Sequence, residues 1–113
     1  MITIYHNPRC SKSREGLAVL EKSGKEFKVV KYLEELFTEK QLIDILHLLG
    51  ISAIDLVRKN EKIWKDEFKG KELSEGDIIK AMVANPKLIE RPIIVNGKKA
   101  VIGRPSSNIL SII

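Results

Sequence analysis

The spacing of apolar positions changes period several times along the chain, and each change marks an element. Ile2, Ile4 and Tyr5 trace a short strand, which the Asn7-Pro8 pair breaks. From 11 to 23 the period lengthens. Leu17 and Leu20 form a stripe with Ala18 beside it, which predicts a helix stopping at Gly24. Residues 27–32 return to a β-rich run. Strand, helix and strand within 32 residues is the length of a βαβ unit, with its strands parallel if both join one sheet.

The middle of the chain reads as helical. Thr38 followed by Gln41 is a capping-box pattern, and Leu42, Ile45, Leu46 and Leu49 fall on one face before Gly50. Residues 54–57 begin a shorter helical piece that carries Arg58 and Lys59. The charge-rich stretch 61–72, with Trp64 and Phe68 four apart, predicts a partly exposed helix and loop. Ser74 with Asp77 caps a further helix whose Ile78, Ile79, Met82 and Val83 face inward, and Asn85-Pro86 ends it.

The last third is β-rich again. Residues 92–95 and 98–102 flank Asn96-Gly97, which predicts a hairpin turning at that pair through a type I′ turn. Arg104, Pro105, Ser106 and Ser107 then lead into a short final helix. A βαβ unit, a helical block, a hairpin and a helix describe an α/β protein built on one mixed four-stranded sheet with helices on both faces. The best match is the thioredoxin fold. It predicts a single domain over 1–113, with an all-helical insertion at about 38–85 between the βαβ and ββα units. Pro92, ahead of the third strand, is then the cis-proline candidate.

Composition narrows the picture. A chain of 113 residues, 43% hydrophobic and with four prolines, suits one folded core. Twenty basic against fifteen acidic residues give a formal charge of +5, which suits an anion or an acidic partner. No basic cluster is interleaved with aromatics, so no nucleic-acid partner is expected. Residues 1–5 read as a strand rather than a signal peptide, and no run reaches transmembrane length, so no membrane partner is expected either. One cysteine excludes an internal disulfide and a multi-thiolate metal site. It suits a reducing compartment, which makes the expected location cytoplasmic.

That cysteine carries the candidate chemistry. Cys10 stands where a strand gives way to a helix, among Pro8, Arg9, Ser11, Lys12, Ser13 and Arg14. These neighbours do not make an apolar core segment. Helix-start amides and nearby cations favour a thiolate, the form that attacks. No second cysteine exists to resolve a mixed disulfide, so turnover through Cys10 requires an outside thiol. Ser13 could donate to the sulfur or satisfy the helix start. Arg58, Arg91 and Arg104 stand out by setting, the last two beside prolines at element boundaries, and converging guanidinium groups would bind a tetrahedral oxyanion through paired donors. Arg9, Lys12 and Arg14 are weaker candidates. His6 could act as an acid or base, although a structural role in the turn ranks slightly above that. His47 at a helix end reads as exposed or capping. No metal-ligand spacing is present.

These residues carry a resemblance. Ile4 to Cys10 with Ser13 and Arg14, then 56–60, then Arg91 to Val95, then Arg104 to Ser106, are similar in content and order to the arsenate reductase family of the glutaredoxin-linked, thioredoxin-fold type. The resemblance implies a thiol-dependent reduction of arsenate to arsenite. In it Cys10 forms a cysteine–arsenate adduct. Glutathione or another small thiol, a co-substrate rather than a bound cofactor, attacks the adduct, and glutaredoxin removes it as a mixed disulfide. The family's three oxyanion-binding arginines fall on Arg58, Arg91 and Arg104, its histidine on His6 and its asparagine on Asn7. Ser11-Lys12 departs from the Gly-Thr that often follows the family's cysteine.

Two other functions compete with this one. One is a glutaredoxin-related thiol-exchange protein without arsenate activity. The other is a non-enzymatic regulatory protein that binds a partner through the charged insert, with Trp64 and Phe68 exposed as its cue.

Overall fold

A computed structural model describes all residues, 1–113. The chain divides into two compact units, one made of 1–35 with 91–113 and the other of 36–90.

In the first unit, β1 (Ile2–Tyr5) lies inside a four-stranded sheet of order β2-β1-β3-β4, with β2 (Phe27–Val30), β3 (Ile93–Asn96) and β4 (Lys99–Ile102). β1 pairs parallel with β2 and antiparallel with β3, and β3 pairs antiparallel with β4. Alternation within β1 sends Ile2 and Ile4 into the core. There they meet Leu20 of α1 (Ser11–Ser23), Ile94 and Ile109, with Leu17, Val19 and Val101 packed around them. Ile4 and Ile94 are register partners and both fully buried. Full burial of one such side chain contributes about 1.5–3 kcal/mol. The buried face of α1 is Ser13, Gly16 and Leu20, while Ala18 is exposed. The final helical segment, Ser106–Ser111, is 3₁₀ rather than α and supplies Ile109 to this core.

The expected second strand ran to residue 32, but β2 ends at Val30. The amides of Glu34 and Glu35 both bond back to the Lys31 carbonyl, which curls the chain away. The hairpin also differs from expectation. Asn96 and Lys99 are paired strand residues, so the turn is Gly97-Lys98, one position later than predicted. Positive φ occurs at Gly97 (63°) and at no non-glycine residue, so the turn follows the type II′ pattern rather than I′.

In the second unit, α2 (Glu39–Leu49) and α4 (Glu75–Ala84) open with complete capping boxes, Thr38 with Gln41 and Ser74 with Asp77. The short α3 (Ala53–Leu56) starts at Ser52, and its Ala53 amide donates to Glu75 Oε2 at 2.9 Å. Residues 64–68 form a π-helical turn in which the Trp64 and Phe68 rings stack 5.5 Å apart. Trp64 is buried, which removes the cue for a partner-binding insert.

Arg58 does not continue a helix, contrary to expectation. Val57 is extended and bridges Ile89, the Arg58 amide donates to Leu88, and the Glu90 amide donates to Leu56. Backbone pairing across about thirty residues overrides the local pattern.

Candidate active site

Strand registers bring three of the sequence-selected residues to one edge of the sheet. Tyr5 is aligned with Val30 and with Ile93, and Ile93 with Ile102. The segment after Tyr5 leads to Cys10. The segment before Ile93 is Arg91-Pro92, and the segment after Ile102 is Gly103-Arg104. Thus Cys10, Arg91 and Arg104 all belong to connections at the edge where β1 ends and β3 begins. The bond from the Gly103 amide to the Pro92 carbonyl, 2.8 Å, ties two of those connections together.

The loop carrying Cys10 is fixed from within. The Asn7 carbonyl accepts from the Cys10 amide at 3.0 Å, and its side-chain oxygen accepts from the Arg9 amide at 3.0 Å. An Asn at this position supplies both the turn and its local bond. Arg14 reaches back from α1 and donates from Nη1 to the Pro8 carbonyl at 3.0 Å. Beneath the loop, the wholly buried Ser13 lies with Oγ 2.6 Å from His6 Nδ1 and accepts from the Asn7 amide at 2.9 Å. With the ring proton on Nε2, the hydroxyl donates to Nδ1 while accepting from Asn7. His6 is 4% exposed. Burial, followed by the positive charges of Lys31 and Arg14, holds its pKa below the ordinary histidine value. Ser13 and His6 are therefore partners beneath the turn, and the Ser13 hydroxyl serves the loop backbone.

Cys10 itself is half-buried and occupies the N-cap of α1 with φ −96° and ψ 123°. Its side chain makes no capping bond. The first-turn amides of a helix have no partner inside the helix, and in α1 those amides follow Cys10 directly in the chain. The Lys12 charge is drawn toward Glu15, 3.6 Å away on an exposed face.

Pro92 follows a cis peptide bond from Arg91, and a second cis bond joins Arg104 to Pro105. The buried Pro92 ring explains two glycines that sequence reading passed over. A Cβ on Gly16 would stand 2.8 Å from Pro92 Cγ, and one on Gly103 would stand 3.0 Å from the same atom. Both positions keep α1 and the segment after β4 close to the proline. An isolated glycine inside a helical pattern was the available signal for Gly16.

Arg58 belongs to the second unit. Its Nη1 lies 2.6 Å from Glu61 Oε1 and its Nε lies 3.7 Å from Glu90 Oε1. His47 is exposed near the end of α2, where its carbonyl accepts from the Gly50 amide.

A thioredoxin fold with one cysteine at the mouth of its first helix, and a cis-proline joined to the same sheet edge, defines a single-cysteine thiol protein. The chain belongs to the ArsC family, whose pattern matches residues 5–112. It is 49% identical to the uncharacterized protein YfgD of Escherichia coli K12, across 99% of this chain and 96% of that protein. It is 40% identical to an arsenate reductase of Haemophilus influenzae, across 99% and 98% of the two chains. Among solved structures, an arsenate reductase from Vibrio cholerae superposes with a TM-score of 0.95 at 41% identity, covering 99% of this chain and 97% of that one.

Proposed function

We propose that the protein is a redox enzyme of the single-cysteine, glutaredoxin-linked type that reduces arsenate to arsenite. The observation that carries this reading is the arrangement of the sheet edge. The only thiol in the chain stands at an uncapped helix start, and two arginine-bearing connections belong to the same edge.

Cys10 serves as the nucleophile. Its sulfur forms a bond to arsenic as one arsenate oxygen leaves as water. A small thiol, with glutathione the proposed co-substrate, then supplies the second sulfur. Two electrons pass from the two sulfurs to arsenic, As(V) leaves as As(III), and the sulfurs are joined as a disulfide. With no second cysteine in the chain, that disulfide joins Cys10 to glutathione, and glutaredoxin is the proposed partner that removes it.

Arg91, Arg104 and Arg58 are proposed to neutralise the oxyanion so that a thiolate can approach it. Guanidinium forks match the oxygens of a tetrahedral anion better than point charges do. His6, Asn7, Ser13 and Arg14 position the loop.

The test is arsenite formation from arsenate in the presence of glutathione and glutaredoxin, with Cys10→Ser as control. Arsenite that depends on all three components and on Cys10 supports the reading. Glutathione–disulfide exchange without arsenite formation would favour the thiol-exchange alternative.

A further inference from the structure

Arg58 is held by two carboxylates. Glu61 Oε1 lies 2.6 Å from Nη1, and Glu90 Oε1 lies 3.7 Å from Nε on the neighbouring backbone of the Val57–Ile89 bridge. The first distance is a charge-assisted hydrogen bond, and the second is an ion pair at longer range. The Arg58 backbone is itself fixed, because its amide donates to Leu88 at 2.7 Å and the Glu90 amide donates to Leu56 at 2.8 Å. Arg58 and Glu90 therefore flank the same bridge, each one residue past a member of the Val57–Ile89 pair. Glu61 reaches in from the turn that follows, three residues along, its amide bonded to the Arg58 carbonyl at 3.1 Å.

We propose that Glu61, assisted by Glu90, acts as an internal anion that competes for Arg58 and so sets how tightly and how selectively the protein takes its oxyanion. This inference rests on the functional reading, in which Arg58 is one of the oxyanion's arginines. The Glu61 carboxylate already occupies the Nη1 donor that an oxyanion would engage. A doubly charged oxyanion approaching Arg58 is repelled until the Glu61 carboxylate swings away. The pair is built to exchange. Arg58 and Glu61 side chains are 22% and 29% exposed, so water and an entering anion can reach the pair. A tetrahedral anion that engages two guanidinium donors at once can displace one carboxylate oxygen held on a single donor. The trio therefore permits strong oxyanion contacts and rejects weaker anions. Discrimination of this kind relies on a repulsive element as well as an attractive one.

The experiment measures the arsenate KM and, separately, the calorimetric affinity for inorganic phosphate as a non-reducible tetrahedral probe. The proteins are wild type, Glu61→Gln, Glu90→Gln, Arg58→Gln and the Arg58→Gln/Glu61→Gln pair. Glu61→Gln should tighten phosphate binding and lower the arsenate KM by roughly three-fold, the order that release of a partly exposed ion pair allows. Glu90→Gln should act in the same direction and less, and the Glu61 effect should vanish in the Arg58→Gln background.

Unchanged or weaker phosphate binding in Glu61→Gln, with binding lost in Arg58→Gln, would overturn the proposal, since Glu61 would then be holding Arg58 ready for the anion. Undiminished phosphate binding in Arg58→Gln would remove Arg58 from the oxyanion site, and the competition with it. Tighter phosphate binding in Glu61→Gln by a protein that reduces no arsenate would support the competition and refute the reductase reading.

Discussion

Ser13 Oγ lies 2.6 Å from His6 Nδ1 in a fully buried setting, and the same oxygen accepts the Asn7 amide. One hydroxyl therefore satisfies a ring nitrogen and a backbone donor beneath the loop that carries Cys10. Ser13→Ala leaves both groups buried and unpaired. The expected loss of stability is about 1–3 kcal/mol, read as a lower urea midpoint. Alkylation of Cys10 should change as well, because the loop loses its anchor. A midpoint equal to that of the parent protein would show that water replaces the hydroxyl at no cost.

The His6 ring should titrate below the ordinary histidine range, because burial and the charges of Lys31 and Arg14 disfavour its protonated form. The sign of the stability effect follows. Below an unfolded pKa of about 6.5, the unfolded chain takes up the proton more readily than the folded one. The stability that neutral His6 contributes is present above that pH and is lost as pH falls through the depressed folded value. Ring resonances followed by NMR should give a His6 midpoint under about 6.5. In urea melts, the advantage of the parent over His6→Asn should shrink as the solution is acidified. A His6 midpoint above 6.5 would contradict the buried, cation-flanked environment.

Gly16 sets the distance between α1 and the Pro92 ring. Elsewhere in a helix interior, Gly→Ala adds up to about 1 kcal/mol of stability. Here the new methyl would stand 2.8 Å from Pro92 Cγ, a rigid ring atom in a buried site. Overpacking of that kind typically costs about 1–3 kcal/mol, so the clash should win. Gly16→Ala should lower the melting temperature and reduce arsenate turnover through displacement of the segment carrying Arg91. A rise in melting temperature would show that the helix moves without penalty.

Much of the fold is legible because local signals and tertiary structure agree. The capping boxes at Thr38 and Ser74 and the stop at Gly24 are read directly from residue type and spacing, and each appears in place. The misplaced features share a cause. Asn96 reads as a turn residue, yet it pairs with Ile2 across the sheet and its side-chain amide donates to the Ile112 carbonyl at 2.6 Å. Those partners lie far away in sequence, and they hold Asn96 in the strand and push the turn onto Gly97-Lys98. Arg58 reads as helical because Ile54 to Val57 does, and the distant Leu88 to Glu90 segment draws it out. At the candidate site, residue type and local setting single out Cys10, Arg58, Arg91 and Arg104, and the match to the fold adds Pro92. Ser13 reads as a donor to the sulfur or a group at the helix start, and the fold instead turns its hydroxyl to His6 and the Asn7 amide, partners that spacing alone does not reveal.

Arg91 and Arg104 should tolerate lysine poorly if they grip the oxyanion as forks. Removal of one preorganised donor commonly costs roughly a hundred- to a thousand-fold in kcat. Arg91→Lys and Arg104→Lys should each approach that loss in arsenate reduction, while alkylation of Cys10 by neutral iodoacetamide changes far less. Equal losses in both reactions would indicate damage to the fold or the thiol rather than to anion recognition.

The measurement that bears most directly on the account is arsenite production by the purified protein with arsenate, glutathione and glutaredoxin, beside Cys10→Ser. The account predicts steady turnover in the wild-type protein, none above background in Cys10→Ser, and trapping of one glutathione on Cys10 when glutaredoxin is withheld, seen by intact mass. Arsenite formation that persists in Cys10→Ser, or a wild-type protein that takes up glutathione yet forms no arsenite, would contradict it.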